Sequence, residues 1–193
     1  MQKWSFNFRL WHWINAIVVM GLIGTVLLRK SFLSWRTNSE IILQKLSEIN
    51  IDISAEQAKV IAKAIRAPMW EWHYILGYAL GALVIWRIVL FFTPSGRRSY
   101  QHLKEENFHK KIVKLSYLFI YVILFMMTVS GFIMYFYDTI RLAKETAHDI
   151  KELHELLYYV VLYFLPLHII GVFIAENRDE KGILSDMVNG GKQ

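Results

Sequence analysis

Four stretches of this chain are each apolar for about 20 residues, the length a helix needs to cross the hydrocarbon core of a bilayer. They cover residues 10–28, 69–92, 112–136 and 156–175. With 55% hydrophobic and 15% aromatic residues and a mean hydropathy of +0.31, the 193-residue chain is too apolar for an ordinary soluble domain. The pattern predicts an all-α fold, a single domain over 1–193 forming an integral membrane four-helix bundle with a helical insert between spans one and two. Trp11, Trp13, Trp70, Trp72, Tyr135 and Tyr137 fall near the ends of the windows, where aromatic belts meet the membrane interface.

An even number of spans leaves both termini on one side. A count of basic residues does not choose the side: the termini with the 93–111 loop hold ten Lys and Arg, and loops 29–68 and 137–152 together hold ten. Density favours the short loop with Arg97, Arg98, Lys104, Lys110 and Lys111, which places it and both termini in the cytoplasm. The net charge of +6 comes from cations scattered between the apolar windows, which points to anionic lipid head groups rather than nucleic acid. The first apolar run is long enough to span and lacks a small-residue cleavage site, so it reads as a retained helix.

The 29–68 connection carries its own periodicity. Ile41, Ile42, Leu46 and Ile49, then Ala58, Ile61, Ala64 and Ile65, recur at helical spacing, and Ser54 with Gln57 makes a capping-box signal. An amphipathic helical hairpin at the membrane surface follows, an element that also suits docking of an external partner. Pro68 is expected to break the chain before the second span.

The absence of cysteine excludes disulfides, zinc thiolates, iron–sulfur clusters and covalently attached haem, so a metal must be held by His, Met or carboxylate. His102, His109 and His148 lie in polar loops. His12, His73, His154 and His168 lie in or at the ends of the spans, where an ionisable side chain is costly and takes a partner. His154 and His168 are fourteen residues apart; at 100° per residue that is within about 40° of whole turns, so they share a face about 21 Å apart along the axis. Depth then pairs His73 with His154 near the outer surface and His12 with His168 near the inner one. Two such bis-imidazole sites suit two non-covalent b-type haems, each iron taking one axial ligand from either side.

Gly77, four residues after His73, and Gly171, three after His168, either leave room for a flat macrocycle or serve close helix packing. Arg87, fourteen residues after His73, either pairs with an inner-haem propionate or snorkels to the interface, and Arg9 is a second propionate candidate. Met126, Met127 and Met134 read as packing or lipid-facing residues, and Pro166 as a kink near His168.

The segments RLWHW, WHYILGYALGALVIWR and LHELLYYVVLYFLPLH, with the tail ENRDEKGILSDMVNG, resemble the bacterial cytochrome b561 and nickel–iron hydrogenase b-type cytochrome group, which includes the formate dehydrogenase membrane subunit. The insert is longer than in the simplest members. The resemblance implies a dihaem cytochrome of the bacterial inner membrane with cytoplasmic termini, exchanging electrons between a quinone pool and a periplasmic redox protein or redox-enzyme subunit. Asn15, one turn after His12, is placed either to meet a quinone carbonyl or to bond a neighbouring helix. Two further readings stand beside this one. The first is a superoxide:quinone oxidoreductase acting at the outer haem, with Lys59, Lys63, Arg66 and Arg141 steering the anion; the second is a haem-free proton or metal transporter.

Overall fold

The computed structural model describes residues 4–93, 108–178 and 180–191. Among them are six helices and no strand: α1 (Phe6–Lys30), α2 (Trp35–Glu48), α3 (Ala55–Phe92), α4 (Phe108–Tyr135), α5 (Lys144–Asn177) and α6 (Ile183–Asn189). α1, α3, α4 and α5 are long and apolar enough to cross a membrane, matching the four windows of the sequence. Arg97, Arg98, Lys104 and His102, on which part of the orientation argument rests, lie outside the described residues.

Two of the four long helices begin more than ten residues before their windows. α3 runs unbroken through Pro68 and joins the second helix of the insert to the second span, where a break was expected. Proline removes one backbone donor, but its fixed φ is helical, and the freed carbonyl of Ala64 is tolerated where neighbours or interfacial water re-satisfy it. The 38 residues of α3 make a rod of roughly 57 Å, against about 30 Å of hydrocarbon, so its first turns stand outside the apolar layer. α5 likewise begins at Lys144, twelve residues before its window, which puts His148 on a helix rather than in a loop, and His109 falls in the first turn of α4. His148 lies 3.6 Å from Glu152. Pro166 sits inside α5 without ending it.

The chain divides into two compact units. The first comprises residues 1–16 and 80–193 and gathers parts of α1 and α3 with α4, α5 and α6. Trp11, 3% exposed, anchors it: its indole Nε1 donates to the Leu83 carbonyl at 2.7 Å, and its ring meets Tyr121 edge-on at 5.7 Å. α3 and α4 approach closely at Gly81, where an added Cβ would stand 3.0 Å from Phe132 Cε2. The tail folds back onto its own unit. Glu176 accepts the Gly182 and Leu184 amides at 2.9 and 3.0 Å, capping the start of α6. Trp13 Nε1 and Arg9 Nη1 donate to the Met187 and Val188 carbonyls at 3.1 and 3.3 Å, which satisfies acceptors that a helix end leaves open.

The second unit, residues 17–79, holds the rest of α1, α2 and the start of α3. Ser54 and Gln57 form the expected capping box: the Ser54 amide donates to Gln57 Oε1 at 2.7 Å and the Gln57 amide to Ser54 Oγ at 3.2 Å. Of the periodic face expected for this helix, Ala58 is fully buried but Ile61, Ala64 and Ile65 are exposed; the buried stripe runs through Ala58 and Ala62 instead. The cations Arg36, Lys59 and Lys63 surround the Trp35 ring at 4.9, 5.7 and 5.9 Å.

Candidate functional site

α5 sets the vertical spacing of the site. His154, Tyr158, Val161 and His168 fall on one stripe, and the two residues between the histidines are buried. On other faces of the same helix, Leu156, Tyr163, Leu167 and Phe173 are 62% to 67% exposed, as side chains solvated by lipid would be. The shared face read from the fourteen-residue gap is therefore the face turned toward the protein.

At the level of His168, the first unit brings the expected partner to it. The His12 and His168 ring centres are 6.2 Å apart, with 55° between their planes. Phe164 stacks on His168 at 5.8 Å, Tyr117 meets it edge-on at 5.9 Å, and Trp13 meets His12 edge-on at 5.3 Å. His12 Nδ1 is buried with no hydrogen-bond partner among the described residues. Trp4 Nε1, Arg9 Nε, Asn15 Oδ1 and Arg87 Nε, all in this unit, share that condition. The Arg87 guanidinium lies in an aromatic cage, 4.3 Å from the Tyr121 ring centre, 5.4 Å from Phe8 and 5.5 Å from Trp11.

These groups fit a haem. Metal–imidazole bonds are about 2.0 Å long, so with the distance from each ring nitrogen to its ring centre, two axial imidazoles stand roughly 6 Å apart, centre to centre. The separation of His12 and His168 matches this. Arg87 and Arg9 each keep a buried Nε donor unmatched, as groups meant for a carboxylate would. An added Cβ at Gly77 or Gly171 would meet no heavy atom of the described residues within 4 Å.

The other two histidines lie in different units and are held in the same way. In the second unit, His73 Nδ1 is 2.7 Å from Thr25 Oγ1. Trp70 meets the His73 ring edge-on at 5.6 Å, and the Arg29 and Arg66 guanidinium carbons lie 5.7 and 6.0 Å from the Trp70 ring centre. An open apolar cleft of about 270 Å³, lined by Gly21, Gly24, Thr25, Leu28, Met69, Trp72 and Leu76, lies on this side. In the first unit, His154 Nδ1 is 2.8 Å from Ser130 Oγ. A Cβ added at Gly131 would meet His154 Cε1 at 3.4 Å, so the ring packs against the α4 backbone.

Sequence reasoning did not single out Thr25, Ser130 or Gly131. The available signal was a lone hydroxyl residue beside a glycine within an apolar span, Gly24–Thr25 and Ser130–Gly131. Among the described residues, the buried polar side chains are Thr25, Ser39 and Ser130, and two of these three contact a histidine.

The comparison with curated proteins and with solved structures finds no match. A family model described as prokaryotic cytochrome b561 matches residues 3–190, nearly the whole chain. Four apolar helices, paired histidines at haem spacing and this match lead to one conclusion: the chain belongs to the prokaryotic cytochrome b561 family of membrane b-type cytochromes that act in electron transfer.

Proposed function

We propose that this chain is a dihaem cytochrome that transfers electrons across the bacterial inner membrane, between the quinone pool and a periplasmic redox protein or redox-enzyme subunit. The observation that carries the reading is the 6.2 Å separation of His12 and His168, combined with a second histidine fourteen residues away on the same face of α5. Haem b, when bound, supplies reversible one-electron chemistry. His12 and His168 hold one iron toward the cytoplasmic face, and His73 and His154 hold the other toward the outer face. Spacing along α5 supports this division: His154 to His168 is about 21 Å along the helix.

The remaining residues position and insulate. Arg87 and Arg9 receive the carboxylates of the inner haem, while Phe8, Trp11 and Tyr121 keep water from the Arg87 guanidinium. Asn15 Oδ1, a buried acceptor without a partner among the described residues, suits a quinol hydroxyl at the inner end. Both termini lie in the cytoplasm, and α2 with the first turns of α3 offers the outer partner a docking surface. Mixing the oxidised protein in liposomes with a ubiquinol analogue is expected to reduce both haems; an unreduced spectrum would contradict the quinone assignment.

Arg87→Leu removes a positive charge that favours the reduced state. A charge at about 10 Å, with an effective dielectric near 20, is worth roughly 1.7 kcal/mol, on the order of 70 mV for a one-electron couple. The inner component's midpoint is therefore expected to fall by tens of millivolts in Arg87→Leu and by less in Arg87→Lys. A redox titration with no shift in either variant would show that Arg87 serves packing alone.

A second reading, superoxide:quinone oxidoreductase activity at the outer site, has one specific observation in its favour. Arg29 and Arg66 converge on Trp70, which abuts His73, and so place two cations where a small anion would approach. Stopped-flow mixing of oxidised protein with superoxide decides this: near-diffusional haem reduction supports the activity, and no reduction leaves the carrier role.

A further inference from the structure

The hydroxyls of Thr25 and Ser130 each make two short contacts that a single hydroxyl proton can serve only one way. Thr25 Oγ1 lies 2.6 Å from the Leu22 carbonyl and 2.7 Å from His73 Nδ1. Ser130 Oγ lies 2.7 Å from the Met126 carbonyl, 3.1 Å from the Met127 carbonyl and 2.8 Å from His154 Nδ1. Two oxygens held at 2.6 or 2.7 Å repel unless a proton lies between them, and a carbonyl has none to give. The hydroxyl proton is thus committed to the helix carbonyl, the back-bond that Ser and Thr make inside helices. The second contact then needs a proton from the ring, so each imidazole carries its hydrogen on Nδ1 and its lone pair on Nε2.

We infer that Thr25 and Ser130 are positioning residues for His73 and His154, fixing both as the Nδ1–H tautomer that turns Nε2 to a metal. This rests on the dihaem reading above and adds to it the residues that set ligand strength at the outer site. The two elements are built alike. Each puts a buried hydroxyl, Thr25 at 7% and Ser130 at 4% exposure, one helix away from its histidine, with its own proton occupied. Among the described residues neither His12 nor His168 has such a partner: His12 Nδ1 is unmatched there, and the ring contacts of the two are with aromatic rings and each other. An imidazole whose Nδ1–H is donated becomes the more basic ligand and favours ferric iron. The hydroxyls therefore lower the potential of the outer site without touching the inner one.

Helix–helix adhesion is the purely structural account of the same bonds, and it makes a different prediction. The test is a redox titration with a haem-to-protein ratio on the full-length protein in detergent, for the wild type, Thr25→Val, Thr25→Ser and Ser130→Ala. Thr25→Val and Ser130→Ala are expected to raise the midpoint of the same single component. At fixed ambient potential its oxidised-to-reduced ratio should fall roughly threefold to tenfold, as the loss of one hydrogen bond allows. Thr25→Ser, which keeps the oxygen, is expected to titrate like the wild type. Two haems with unchanged midpoints, or Thr25→Ser behaving like Thr25→Val, would each overturn the inference alone, whereas shifts in different components would overturn the pairing of His73 with His154. A wild type holding fewer than two haems would instead overturn the dihaem reading, and this inference with it.

Discussion

Replacing His12 with Ala is expected to remove one haem of two, and replacing His168 with Ala to remove the same one. Their ring centres are 6.2 Å apart, so if both imidazoles hold one haem, losing either side chain would leave that haem one protein ligand short. The neighbours Phe164, Tyr117 and Trp13 offer no imidazole nitrogen in exchange. The haem-to-protein ratio is therefore expected to fall from about two to about one in both variants, with the same α-band component missing from the reduced-minus-oxidised spectrum. His148→Ala is the control. That residue is exposed on the first turns of α5 beside Glu152, and its removal should leave both components in place. Loss of different components in His12→Ala and His168→Ala would break the pair.

The second large effect concerns the outer site. His73→Ala and His154→Ala are expected to remove the component that survives in the first two variants. Each deletion also strands a buried hydroxyl, Thr25 or Ser130, which keeps its helix carbonyl but loses the ring. Interhelical hydrogen bonds of this kind in membranes average about 0.6 kcal/mol and reach about 1.7 kcal/mol, so folding should persist while the haem is lost. Spectra of the four single variants sort the histidines into pairs without reference to any structure. A variant of His73 that loses the same component as His12→Ala would contradict the assignment by depth.

The features legible from sequence were those governed by periodicity. The four windows became α1, α3, α4 and α5, the fourteen-residue gap put His154 and His168 on the inward face of one helix, and Ser54 with Gln57 formed the capping box. Pro68 was misread because a proline signals a boundary only where the lost donor and the steric clash decide the outcome; in α3 the helix on both sides outweighs them. The early start of α5 escaped notice because residues 144–155 are polar, and hydropathy marks where a helix enters lipid rather than where it begins. Thr25 and Ser130 were invisible for a different reason. A lone hydroxyl in a membrane helix satisfies itself on its own carbonyl, so nothing local shows that its oxygen also accepts from a histidine on another helix. The return of the tail depends on Glu176, Arg9 and Trp13 meeting backbone groups, which have no sequence signature.

The dihaem reading puts two bis-histidine sites in one chain. Its most direct test is the haem-to-protein ratio of the purified wild type, measured together with a redox titration of the α band. Two haems per chain, titrating as two one-electron components, is the predicted result. One haem, or a single component, would contradict the account; no haem at all would leave the histidines to a transporter of protons or metal ions.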